Sequence, residues 1–152
     1  MMVADRQSSS QLGDVSRFKD MHLLTTTEHE ARVNLRNHQD GLVVLAEELS
    51  IESGTRNVIM ESGLEGALLQ FEGSKGEPAA GRIPALNPSP RDTVGAGAVF
   101  LVTSAMAMAV DLSPWEVAYL GSIAAAVQTS RIGNRPLPHS DLVWEFQLSP
   151  IS

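Results

Sequence analysis

The chain contains no cysteine, which excludes disulfides and thiolate chemistry of any kind. Basic residues are scarce: 11 Lys and Arg stand against 18 Asp and Glu, for a net charge of −7. Aromatic residues make up only 5% of the sequence. No basic cluster interleaved with aromatics occurs, so no nucleic-acid partner is expected. The acidic balance equally disfavours an anionic membrane surface. Residues 94–110 form an uncharged run that is short for a membrane span, rich in Gly, Ala, Ser and Thr, and bracketed by Asp92 and Asp111 with no basic flank. It is expected to be a helix buried in a globular domain. Met1 to Gly13 is polar and lacks the apolar centre of a secretory signal, so a cytoplasmic protein with no membrane association is expected.

What is present suits a globular domain. Hydrophobic residues form 43% of 152 residues, enough for one domain with its own core. Met2-Val3-Ala4 reads as a short strand, followed by a polar loop around Gln7 to Gln11. Met21 to Thr25 is a second strand. Thr27 to Leu35 is a helix, with Thr27 and Glu30 in capping-box spacing and Glu28 and Arg32 as an i,i+4 ion pair. Leu42 to Ile51 is another helix, whose apolar face carries Leu42, Leu45, Ala46 and Leu49.

Asn57 to Met60 and Ala67 to Phe71 read as strands around a Gly63-to-Gly66 turn. Gly73 to Gly81 reads as a polar loop, and Arg82 to Leu86 as a further strand before the punctuated Asn87-Pro88-Ser89-Pro90. The C-terminal third is helical. Ala96 to Val110 is apolar all round and expected to be buried, with Met106 and Met108 filling core space. Ser113-Pro114-Trp115-Glu116 is a complete helix start running to about Thr129. Ser140 to Phe146 closes the chain as a short helix, and Trp115 and Trp144 are expected to pack against helices. Strands alternating with helices predict an α/β layered fold: a partial parallel sheet with flanking helices and a helical C-terminal third.

The segment that carries chemistry is Asp92-Thr93-Val94-Gly95-Ala96-Gly97-Ala98. A glycine-rich turn runs into a helix whose first residues have almost no side chain. The backbone N–H groups there lack intrahelical acceptors, and the helix dipole adds partial positive charge, an arrangement suited to phosphate. A hydroxyl reacting beside such a phosphate needs a base, and Ala98 stands where a carboxylate would serve.

These residues resemble the C-terminal half of the PfkB/ribokinase-type carbohydrate kinases, and the likeness runs in order along nearly the whole chain. Asp92 to Ala98 matches the family's D-T-x-G-A-G-D signature except at the last position. Thr27-Glu28-His29-Glu30 falls on its N-x-x-E motif and Glu61-Ser62-Gly63-Leu64-Glu65-Gly66 on its T-x-G-x-x-G motif. Ser122-Ile123-Ala124-Ala125-Ala126 falls on the small-residue helix near the adenine. The Ser8-Ser9-Ser10-Gln11 loop points to the heptose-kinase-like branch.

The resemblance implies a single ribokinase-like domain over residues 1–152, the nucleotide-binding half of a kinase that moves a phosphoryl group from ATP to a sugar hydroxyl. It implies that Gly95, Ala96 and Gly97 form the anion hole for the transferring phosphoryl group, and that Ala98 occupies the position of the catalytic base without its function. Gly63, Gly66, Thr93 and Ser122 would lie with the nucleotide. Glu30 would hold Mg²⁺ through water, and Asp92, with the carbonyl of Val94, a monovalent cation such as K⁺. Thr27, Glu61, Ala98 and Ser122 depart from the family pattern, and the half that carries most sugar contacts is not represented. A truncated or degenerate kinase of little activity is therefore one expectation. A non-catalytic, nucleotide-binding or oligomerising pseudokinase module is the alternative, whereas a separate partner chain that supplies the missing half would restore the enzyme reading.

Simpler readings stand beside these. Thr27 and Glu30 make a capping box without any metal, the preferred account. Gly63 and Gly66 serve a hairpin turn as readily as a phosphate. Asp92 is an N-cap or a cation ligand, and Glu61 a solvated charge at a strand end. Arg131, Gly133 and Asn134 form a cap turn after the long helix. The four histidines, His22, His29, His38 and His139, have no metal-ligand spacing.

Overall fold

The computed structural model describes residues 1–5, 18–73 and 76–148. The Ser8-Ser9-Ser10-Gln11 loop lies outside the described residues. Contacts divide the chain into two compact units, Met1–Pro84 and Ala85–Ser152.

The first unit is built on one five-stranded sheet in the order β1-β2-β3-β4-β5. The strands are β1 (Val3–Asp5), β2 (Leu23–Thr27), β3 (Val58–Glu61), β4 (Ala67–Glu72) and β5 (Pro78–Ile83). β1, β2 and β3 are parallel, as expected, whereas β3, β4 and β5 form an antiparallel meander. The parallel step from β2 to β3 requires a crossover, supplied by α1 (Glu28–Leu35) and α2 (Leu42–Ser53). Leu24, Val58, Met60 and Leu68 project from one sheet face and pack with Ala31, Leu45, Ala46 and Leu49 of the helices in one buried cluster. Leu23, Ile59 and Leu69 alternate onto the opposite face and are also buried. The apolar runs of these strands reflect burial on both sides.

The strand expected over Arg82 to Leu86 instead covers Pro78–Ile83, and the C-terminal end of the expected Gly73-to-Gly81 loop is therefore sheet. The segment Pro78-Ala79-Ala80-Gly81 has weak strand propensity. It pairs because the open edge of β4 lies beside it, with Glu72 opposite Pro78 and Ala67 opposite Ile83. Proline is tolerated as the first residue of an edge strand, and Pro84 stops its continuation.

The second unit holds α3 (Ala96–Ala109), α4 (Pro114–Thr129) and α5 (His139–Leu148). The start of α4 is the expected capping box: Ser113 Oγ accepts from the Glu116 N–H, and Glu116 Oε2 accepts from the Ser113 N–H at 2.8 Å. α3 and α4 pack as a hairpin through Phe100, Ser104, Val117 and Gly121, and the Ser104 hydroxyl donates to the Val117 carbonyl at 3.3 Å. An ion pair between Arg131 and Asp141 ties the loop after α4 to α5.

The expectation of a helix buried all round is corrected for α3. Its inner face (Phe100, Thr103, Ser104, Ala107) is buried, but Val102 is 55%, Met106 57% and Val110 69% exposed. An uncharged sequence shows that burial is tolerated on every side, not that a layer is present on every side. Met106 is thus no core filler. Trp115 and Trp144, 44% and 65% exposed, are not packed away either. Among the described residues no helix is long and apolar enough to cross a membrane.

Candidate functional site

In the second unit the site-bearing segment is the turn that feeds α3. Gly95 is the residue before the first helical position and adopts φ 82°, ψ −2°. This left-handed conformation is open to glycine and costly for residues with a Cβ. The position is also crowded: a Cβ on Gly95 would lie 2.9 Å from the Asn134 Cγ and closer still to its Oδ1. Among the described residues no side-chain hydrogen bond caps the helix at Gly95. The Ala96 N–H donates to the Thr93 carbonyl at 3.2 Å and the Val99 N–H to the Gly95 carbonyl at 3.0 Å. Helix geometry leaves the N–H groups of Gly97 and Ala98 between them without intrahelical acceptors. Gly95, Ala96 and Gly97 are half-buried, while Thr93 and Ala98 are exposed. The result is a short, uncapped, positively polarised helix start with small residues around it, capable of holding an anion.

Asp92 does not cap α3, so its reading as an N-cap is corrected. Its Oδ1 accepts the Val94 N–H at 2.9 Å, and its Oδ2 accepts the Gly133 N–H at 2.8 Å. The Val94 N–H above all, and then that of Gly133, hold the Asp92 carboxyl below the ordinary aspartate range. Opposite it, Gln128 in the last turn of α4 is 1% exposed. Its Nε2 donates to the carbonyls of Val94 at 3.2 Å and Gly133 at 3.4 Å. Gly133 and Asn134 are therefore more than part of a helix cap: Gly133 is bonded to Asp92 and Gln128, and Asn134 lies against Gly95. Sequence reasoning passed over Gln128. Its signal was that of one amide closing an otherwise small and apolar stretch, Ile123 to Val127. Ser122 lies half-buried in the middle of α4.

In the first unit the remaining candidates gather at one end of the sheet. Thr27 and Glu61 are register partners at the C-terminal ends of the parallel strands β2 and β3. Gly63 and Gly66 lie in the turn that follows β3, where the Ser62 N–H donates to the Gly66 carbonyl at 2.8 Å. Ligands in open α/β sheets bind beyond this end of the strands. The turn joins antiparallel β3 and β4, as the hairpin reading requires. Gly66, at φ 92° and ψ −134°, occupies backbone space essentially restricted to glycine.

Glu30 is buried at 6% exposure, and its Oε2 accepts from the Thr27 N–H at 3.0 Å and the Thr27 hydroxyl at 2.9 Å. The capping box is complete and accounts for both residues without a metal. Among the described residues no group of three or more His, Asp or Glu side chains is arranged to hold a metal ion.

No protein-family model matches the chain, and no curated protein matches it in sequence. Solved structures do match. Ribokinase from Thermotoga maritima is 24% identical with a TM-score of 0.79, over 95% of this chain and 48% of that one. Phosphofructokinase-2 from Escherichia coli, in complex with potassium, is 17% identical with a TM-score of 0.77, over 96% and 46% of the two chains. Arabidopsis thaliana ribokinase, complexed with ribose and ATP, is 17% identical with a TM-score of 0.77, over 97% and 47%. The fold is therefore ribokinase-like, a mixed α/β sheet with flanking helices. The chain spans about half the length of the structures it matches.

Proposed function

We propose that this chain is the nucleotide-binding half of a PfkB-type carbohydrate kinase, a single domain over residues 1–152 in which ATP binds through its phosphates at the start of α3. The observation that carries this reading is the uncapped helix start behind a left-handed Gly95, in a fold shared with sugar kinases. Gly95, Ala96 and Gly97 are proposed as the anion hole for the transferring phosphoryl group; the Ala96 N–H is held by the Thr93 carbonyl, so within this turn the Gly97 N–H, with that of Ala98 beside it, is the donor left to face the group. Preorganised donors of this kind stabilise charge that develops in the transition state. Thr93 borders the same turn, and Ser122 is the nucleotide contact proposed on α4; in the first unit the Gly63-to-Gly66 turn is proposed by itself as a phosphate turn. The heptose-kinase-like branch is the finer placement within the family.

The chemistry of this helix start fits a phosphate. The fit to Mg²⁺ is weaker, because Glu30 Oε2 serves the helix cap; a water-mediated role for that carboxylate remains part of the proposal. Bound Mg²⁺ would neutralise phosphate charge. At position 98 a methyl group cannot take the proton of a sugar hydroxyl, and loss of a general base lowers rates by about 10²–10⁴. The chain is accordingly proposed to bind nucleotide and to turn it over poorly, with cytoplasmic metabolism as its setting. The sugar is left to the half that these residues do not include.

The test is a calorimetric titration of the chain with ATP and Mg²⁺, with Gly97→Val as the control. Saturable binding lost in the variant supports the reading. Absence of binding at millimolar ATP overturns it.

One observation favours a second reading, an oligomerising pseudokinase module. Val102 and Met106 on α3 and Val110 just beyond its end lie exposed, an apolar stripe that association would cover. Sizing in solution separates the two: a tight symmetric dimer favours the module, and a monomer the half-kinase.

A further inference from the structure

Asp92 and Gln128 hold the same two residues, one by their N–H groups and the other by their carbonyls. The carboxylate takes the N–H groups of Val94 and Gly133, and the amide nitrogen gives its two hydrogens to their carbonyls. The family resemblance would put a monovalent cation on Asp92 and the Val94 carbonyl, and potassium is present in the phosphofructokinase-2 structure. The residues here do not fit that ion. Both carboxylate oxygens and both carbonyls, the oxygens that a cation would gather, already face N–H donors. Each of those oxygens keeps a further lone pair, but Gln128 Nε2 stands 3.2 and 3.4 Å from the two carbonyls, where a cation drawing on both would sit, and Gln128 Oε1 is a buried acceptor without a hydrogen-bond partner. A cation between the two carbonyls would meet the partly positive hydrogens of that amide, and K⁺ needs a ring of oxygens in place of its hydration shell.

We propose that the Gln128 amide takes the place of a monovalent cation, so that the turn before α3 is ordered without potassium. A cation at this point would draw the carbonyls of two loops together. The Nε2 group, with its two partly positive hydrogens, performs the same task from the last turn of α4. Being almost wholly buried, it does not exchange with solvent, so the order of the turn does not follow the salt composition of the medium. The inference rests on the kinase reading only for where a cation would be sought; the hydrogen bonds themselves do not depend on it.

The experiment is thermal unfolding of the full chain in potassium chloride against tetramethylammonium chloride at equal ionic strength, without nucleotide. The expected result is the same melting temperature in both salts. Gln128→Ala, which removes the donor and opens space, is expected to melt lower in tetramethylammonium and to regain stability as potassium is added. Gln128→Met keeps the volume without the donor and serves if the alanine variant does not fold. A saturable rise in the melting temperature of the unaltered chain with potassium would overturn the proposal. So would variants as indifferent to potassium as the parent, since the amide would then have replaced nothing. Because no nucleotide is present, failure of ATP binding leaves this result untouched, and the converse holds.

Discussion

Gly121 meets Ser104 where α3 and α4 cross, with no room for another carbon: a Cβ on Gly121 would lie well inside contact distance of the Ser104 hydroxyl and 3.1 Å from the Phe100 ring. Ser104 is fully buried and donates to the Val117 carbonyl, so it cannot swing aside without losing that bond. Gly121→Ala is expected to destabilise the chain. Overpacking costs about 1–3 kcal/mol, and the better helix propensity of alanine returns about 1 kcal/mol. Denaturant unfolding measures the net loss, and adding Ser104→Gly to Gly121→Ala should recover part of it.

Thr27 separates the capping role of its box from a metal role. Thr27→Ala is expected to cost about 1 kcal/mol by removing the cap of α1. If the box is only a cap, chemical denaturation gives the same loss with and without magnesium chloride. A loss that grows in magnesium would show that Glu30 and its neighbours hold the ion.

Asp92 predicts a particular acid limb. Its carboxyl titrates lower in the folded chain than in the unfolded one because it accepts the N–H groups of Val94 and Gly133. The stabilisation it brings is present above the unfolded aspartate value of about 3.9. It is lost as the pH falls through the lower folded value, where the unfolded state binds the proton more readily. Asp92→Asn should therefore be less stable at neutral pH and show a shallower decline below about pH 4. Melting temperatures measured against pH check both points.

Ala98→Asp tests the missing base directly. Position 98 is exposed in the first turn of α3, where a carboxylate is favoured by the helix dipole, so the substitution should not destabilise the chain. If the helix start holds the γ-phosphoryl group, transfer to a sugar should rise by about 10²–10⁴, read as ADP release across a panel of sugars. A rate still at zero would show that more than the base is absent.

The legible parts of this chain were those encoded locally. Thr27 with Glu30, and Ser113 with Glu116, fix two helix starts because each box is closed by residues three apart. The strands around Val58 and Leu69 were legible from unbroken apolar runs. The glycine turn at Gly95 was equally plain. What escaped the sequence depends on distant neighbours. Pro78-Ala79-Ala80-Gly81 becomes a strand only because β4 leaves an edge open. The outer face of α3 is exposed because no described layer covers it. Gln128 gains its role from Val94, more than thirty residues away in the chain, a relationship that no local pattern carries.

The change of direction at β3 has a consequence for how the first unit comes apart. β3 is bonded on both sides, to β2 in parallel and to β4 antiparallel, and β4 and β5 follow it through short turns that close cheaply. β1 is three residues long and, among the described residues, has a single neighbour, β2. Opening energies within one sheet span from near zero to the global value. The amides of Ile59 and Met60 should therefore be the last of the sheet to exchange with deuterated solvent, and those of β1 the first, its edge peeling away while the meander stays closed.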